Sequence, residues 1–215
     1  MEEEIDVVQE VQKENSFWGL CRLVFSIPFN MENILIPAIV LIILFLFNSF
    51  GLDCKEIKFT DIASFSNNLI GWYYTILAFL VAGYTIFATV TSAEMSVSLA
   101  STESPINGMS MLRYIHASFF KTIIIFLIGS TFSLLLVLLL RDWGFSGFLI
   151  KNFGNIYLWS ALDAINVSAF ILSLMMLKSF MYNIYSAVMI VVGLKSISID
   201  TEKKKKKLAR RRPRY

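Results

Sequence analysis

The chain has 215 residues, of which 56% are apolar and 16% charged, with a formal net charge of +3. That balance is too apolar for an ordinary soluble domain and reads as an integral membrane protein. One histidine and two cysteines make no metal-spaced cluster, and no glycine-rich phosphate loop or serine with a partner base is present. The sequence therefore describes no enzyme and implies no cofactor.

Residues 1–15 form an acidic tip carrying Glu2, Glu3, Glu4, Asp6, Glu10 and Glu14, the opposite of a cleavable signal. Ile5, Val8 and Val11 recur there at helical spacing, so the tip is either a solvated tail or a docking helix. Residues 16–33 follow, with Ser16 placed to cap a short helix rich in Phe17, Trp18, Leu20, Val24 and Phe25 and ended by Pro28. Such a segment either lies in the membrane interface or packs on the transmembrane helices.

Apolar runs predict four spans, at about 34–50, 69–93, 117–140 and 156–177. In the first, Pro37 falls in the first turn, where a missing amide hydrogen does little harm. The second helix meets no breaker until Pro105, and the third pattern starts near Ser110 and runs to Leu140. At standard rise these helices reach about 54 and 47 Å, longer than a bilayer requires. Glu94, Glu103, Arg113 and Lys121 gather on the overshoot, so the expected shape is a helical hairpin whose tip projects into the cytoplasm. Small residues recur along it at Ala88, Ser92, Ser96 and Ala100, a row suited to close helix packing or a subunit interface. Folding about Pro105 sets Glu94 level with His116 and Lys121, an expected clamp of the hairpin.

Residues 156–194 contain no proline and two charges, Asp163 and Lys178. As one helix they would run about 58 Å, roughly twice the hydrocarbon thickness. Splitting them into two spans would place the basic C-terminus outside. Counting one crossing instead puts 15 Lys and Arg on the side of both termini against 4 on the other, so both termini are expected in the cytoplasm. Cys21 and Cys54 then lie on opposite sides and cannot bridge within one chain.

Asp163 is an intramembrane carboxylate that needs a partner. Arg141 at the outer end of the third helix is the expected one, and Asn166 continues the polar stripe. Further along, Leu177, Met181, Ile184 and Val188 follow alternating steps of three and four, a seam for self-association or for a partner. The tail 195–215 carries Lys203, Lys204, Lys205, Lys206, Lys207, Arg210, Arg211, Arg212 and Arg214. A cluster of this kind binds anionic lipids first, and nucleic acid or an acidic partner second.

The expected fold is thus an all-α integral membrane protein of four transmembrane helices, with the second to fourth extending into a cytoplasmic helical bundle. The short external loops and overall composition point to a bacterial inner membrane. In span count, length and cytoplasmic termini the chain resembles the small four-span membrane subunit of Kiwa-type bacterial phage-defence systems. That resemblance implies an oligomeric sensor or anchor whose cytoplasmic face recruits a nucleic-acid-acting partner. The leading functional expectation is a non-enzymatic, self-associating membrane subunit that recruits or regulates a cytoplasmic protein. The alternatives are an ion-conducting or membrane-depolarising pore lined by Asp163 and the small residues, and a small secondary transporter.

Overall fold

Long apolar segments that must satisfy their own backbone hydrogen bonds become helices, and helices account for nearly all regular structure here. The computed structural model describes residues 16–50, 59–104, 108–140 and 156–210. The elements are α1 (Phe17–Ser26), α2 (Met31–Phe50), α3 (Phe59–Val90), α4 (Ala93–Ser101), α5 (Met111–Leu140) and α6 (Ile156–Arg210). Of these, α2, α3, α5 and α6 are long and apolar enough to cross a membrane. Among the described residues the only β pairing is the isolated bridge Glu103↔Ser110. The acidic tip, Arg141 and Arg211, Arg212 and Arg214 lie outside the described residues.

The long helices pack in the order α2, α6, α5, α3, with α2 resting on α6 and α3 touching α6 only slightly. One end of this array holds the start of α2, the turn between α4 and α5 and the C-terminal half of α6. We call it the proximal end, and the opposite one the distal end. The main core lies where α3, α5 and α6 meet and contains Leu69, Tyr73, Leu77, Leu80, Phe119, Phe126 and Phe180. Tyr73 is fully buried and meets Phe126 and Phe170 edge to face, at ring separations of 5.8 and 5.2 Å. Such pairs add about 0.5 to 1.5 kcal/mol each beyond area burial. Gly129 makes room for the ring, since a Cβ at that position would stand 2.4 Å from the Tyr73 hydroxyl.

Three boundaries differ from expectation. Helix α2 begins at Met31, so Pro37 sits in the second turn rather than the first. The Asn33 carbonyl, four residues earlier, loses its intrahelical partner. Second, α3 does not continue to Pro105. It ends at Val90, and Ser92 caps the new helix α4, its hydroxyl accepting from the Met95 amide at 3.3 Å. Thr85, Thr89 and Thr91 each donate to the carbonyl four residues back, at 2.9, 2.9 and 2.6 Å. Hydroxyls bonded in this way bend helices, and β-branched Ile86 stiffens the same stretch. Third, α6 does not stop near residue 194. Its backbone continues through the basic segment to Arg210, 55 residues in all, or about 82 Å.

The connection from α4 to α5 is tight. Ser104 N donates to Met109 O and Met111 N to Thr102 O, both at 2.8 Å, and Gly108 takes the left-handed conformation with φ of 61°. A second core of Leu99, Met111 and Ile115 lies beneath this turn, and Ile190 of α6 packs against it. The hairpin tip and α6 therefore run on together past the start of α2.

Candidate functional site

Because α2 and α6 are antiparallel, their polar contacts fix the register between them. At the proximal end, Asn33 Nδ2 donates to Ser179 Oγ at 2.8 Å and lies 3.5 Å from Met176 Sδ. Farther along, Ser168 Oγ donates to the Pro37 carbonyl at 2.6 Å. At the distal end, Asn48 Nδ2 donates to Asp163 Oδ2 at 3.1 Å. Asn33 and Asn48 are about 22 Å apart along α2, and Asp163 and Ser179 about 24 Å apart along α6. The two helices thus serve as rulers for each other. Since α2 is only about 30 Å long, about 46 Å of α6 lies proximal to Ser179.

Asp163 is held by Asn48, a residue the sequence reading passed over, and its expected partner Arg141 lies outside the described residues. Asn166 is fully buried and joins three helices: Ser133 Oγ on α5 donates to its Oδ1 at 2.7 Å, and its Nδ2 donates to Ser66 Oγ on α3 at 3.0 Å. Interhelical hydrogen bonds in membranes average about 0.6 kcal/mol, so this node contributes roughly 1 kcal/mol and fixes the mutual rotation of α3, α5 and α6. Partners on neighbouring helices favour a packing role for Asp163 and Asn166.

Of the expected clamp residues, His116 and Lys121 make separate contacts. His116 Nδ1 and the Tyr84 hydroxyl share a 2.8 Å hydrogen bond that joins α5 to α3. Lys121, five residues on, projects from another face of α5 toward α1. Of Glu94 only the backbone, in α4, is described. The row Ala88, Ser92, Ser96 and Ala100 is interrupted by the break at Ser92, with Ala88 exposed on α3 and Ala100 half-buried on α4. Nor does the predicted α6 seam stay together. Leu177 and Ile184 pack on the main core, whereas Met181 and Val188 are exposed. The face left open proximal to Ser179 carries Met181, Tyr182, Tyr185, Val188, Met189 and Val192. Met181, Tyr185, Val188 and Val192, at steps of four, three and four, make it a single stripe. The side chains of Lys203, Lys204, Lys205, Lys206, Lys207 and Arg210 are not described, and only their helical backbone places them on α6.

A pocket of about 650 Å³ opens between the α1–α2 link, α5 and α6, at the proximal end of α2. Asn33, Ser118, Lys121, Ser179 and Asn183 give it polar walls, and Phe29, Phe180 and Tyr182 apolar ones. Tyr114, Ser118, Lys121 and Thr122 share one face of α5 through steps of four, three and one, which is why they meet there. Lys121 is 2% exposed. Its ammonium donates to the Ile27 carbonyl at 2.7 Å, lies 3.5 Å from the Pro28 carbonyl and sits 3.6 Å over the Phe29 ring. Ile27 is the C-cap of α1, which has no basic residue in its own last turn, so Lys121 supplies the cation that a helix C-terminus favours. At the rim, Lys178 donates to Glu32 at 2.8 Å in an exposed pair worth about 1 kcal/mol at most. Lys121 was legible as a basic residue near the interface. Its partners were not, because they are backbone carbonyls 94 and 93 residues away.

No family model matches this chain, and neither a curated protein nor a solved structure does so.

Proposed function

We propose that the chain is a non-enzymatic membrane subunit that self-associates and holds or regulates a cytoplasmic protein through its proximal end. The observation that carries this reading is the apolar stripe on α6. Met181 and Tyr185 are each 62% exposed, and Val192 57%. Met181 is level with Met31, where α2 begins, and Tyr185 and Val192 lie about 6 and 16 Å beyond it. Apolar side chains in such a stripe beyond the lipid require cover, and a second copy or a partner helix fits a stripe of this periodicity.

On this reading the proximal end faces the cytoplasm, in agreement with the excess of Lys and Arg on the side of both termini. The membrane is a bacterial inner membrane. The anti-phage setting implied by the four-span layout belongs to the same proposal, in which an effector acting on nucleic acid docks at this end. An ion path lined by Asp163 has weaker support, because that carboxylate already accepts from Asn48.

The test is site-specific photo-crosslinking in cells, with the probe at Met181, Tyr185 or Val192 and, for comparison, at Ile39 or Ile43 on the exposed face of α2. The α6 positions are expected to give discrete protein adducts and the α2 positions lipid adducts. Lipid adducts alone at all five positions would overturn the reading.

A further inference from the structure

The proximal pocket holds two unusual groups side by side. Lys121 is a buried ammonium whose hydrogen-bond acceptors are neutral carbonyls, and among the described residues no carboxylate pairs with it. Burying a charge without an opposite charge is costly, and a third ammonium hydrogen remains for an acceptor. One turn earlier on the same face, Ser118 is 6% exposed and its hydroxyl has no hydrogen-bond partner. A buried hydroxyl without a partner also costs free energy. Both groups line the 650 Å³ pocket, whose charged residues are Lys121, Lys178 and Glu32, a net charge of +1. Glu32 is engaged by Lys178, which leaves Lys121 as the uncompensated charge.

Depth within the structure narrows the ligand. The pocket includes Asn30, Glu32 and Asn33 and therefore sits where α2 starts. Because α2 is no longer than a hydrocarbon core is thick, its start lies at headgroup level when the helix spans. Beside it, Met31, Ile34 and Leu35 are exposed apolar side chains against which acyl chains could lie.

We infer that this pocket binds a phosphate group, whose oxygens accept from the Lys121 ammonium and the Ser118 hydroxyl. The shared chemistry is a phosphate anion, carried either by a phospholipid or by a free ion. This site is separate from the basic tail, and its occupancy does not depend on whether the chain recruits a partner. Only the lipid source relies on the membrane reading.

The test uses the full-length chain, purified and delipidated in a non-ionic detergent at about 0.5 M salt, which screens contacts of solvated charges such as those of the basic tail. The thermal unfolding midpoint is followed as phosphatidylglycerol, phosphatidylcholine or inorganic phosphate is added. Ser118→Ala is the main variant because Ser118 makes no side-chain hydrogen bond whose loss would unfold the protein. Lys121→Met is the second, and it also removes the contact of Lys121 with the end of α1. Phosphatidylglycerol should stabilise the wild type, and Ser118→Ala should weaken that binding by roughly 10- to 100-fold, the effect of losing one hydrogen bond to a charged group. Lys121→Met, where folded, should abolish it. If inorganic phosphate shows the same dependence on Ser118, the site is confirmed and its ligand is the free ion. Two results would overturn the proposal: affinities for phosphatidylglycerol and phosphate that are unchanged in Ser118→Ala, or equal stabilisation by phosphatidylcholine and phosphatidylglycerol with no effect of either variant.

Discussion

Replacing Gly129 with Ala tests the packing of the main core most sharply. The added Cβ would stand 2.4, 2.7 and 2.9 Å from the Oη, Cζ and Cε1 atoms of Tyr73. Ordinary contact is about 3.5 to 4 Å, so the ring must move by about 1 Å. It has no free direction, being fully buried and enclosed by Phe126 and Phe170. Overpacking of this kind costs about 1 to 3 kcal/mol. The reference is Gly71→Ala on α3, where nothing lies within 4 Å of the new Cβ and helix propensity favours Ala by about 1 kcal/mol. Gly129→Ala should therefore be about 1 to 3 kcal/mol less stable than Gly71→Ala. At about 2 to 4 °C per kcal/mol for a chain of this size, the midpoint falls by roughly 2 to 12 °C. Circular dichroism of the detergent-solubilised proteins on heating reads this directly. Tyr73→Leu combined with Gly129→Ala should cost less than the sum of the two single changes, since the leucine leaves space for the methyl group. Equal midpoints for Gly129→Ala and Gly71→Ala would refute the Tyr73–Gly129 contact.

Other predictions follow from the polar contacts. Asn166→Leu removes two interhelical hydrogen bonds and should lower stability by about 1 kcal/mol, with Ser133→Ala giving about half of that in the same melts. Asp163→Asn preserves an acceptor for Asn48 and should leave proteoliposome ion flux at background, equal to wild type; a flux that the substitution abolishes would instead favour the pore. Lys121→Met frees the C-terminal end of α1, so the Cys21 thiol, half-buried on α1, should react several-fold faster with a maleimide in a Cys54→Ser background. In intact cells, a membrane-impermeant maleimide should label Cys54 and spare Cys21, and the reverse pattern would invert the proposed orientation.

Much of this architecture could be read from the order of residues. Length and apolarity located four helices of spanning length, and the absence of proline between Ile156 and Leu194 pointed to one helix longer than a single crossing, though not to its continuation to Arg210. The break in α3 escaped notice because it has no proline or glycine. Its cause is a cluster of threonine hydroxyls that compete for backbone carbonyls, a weaker signal than a missing amide. The Asn166 node depends on Ser66 and Ser133, which look like ordinary serines until three helices bring them together. The split of the α6 seam has a similar origin. A repeat of apolar residues shows that a helix has faces, but which face is covered depends on α3 and α5, and Phe180, off the predicted seam, proved to be the buried anchor.

The account rests on the open face of α6 being an interface, and the mass of the complex extracted in mild detergent from the native host tests that most directly. One chain weighs 24.5 kDa. The account predicts a particle containing several copies together with a stoichiometric second protein, and loss of that assembly on Tyr185→Asp with Met189→Asp while the helical content is kept. A particle containing one chain, with the same mass in wild type and variant, would contradict it.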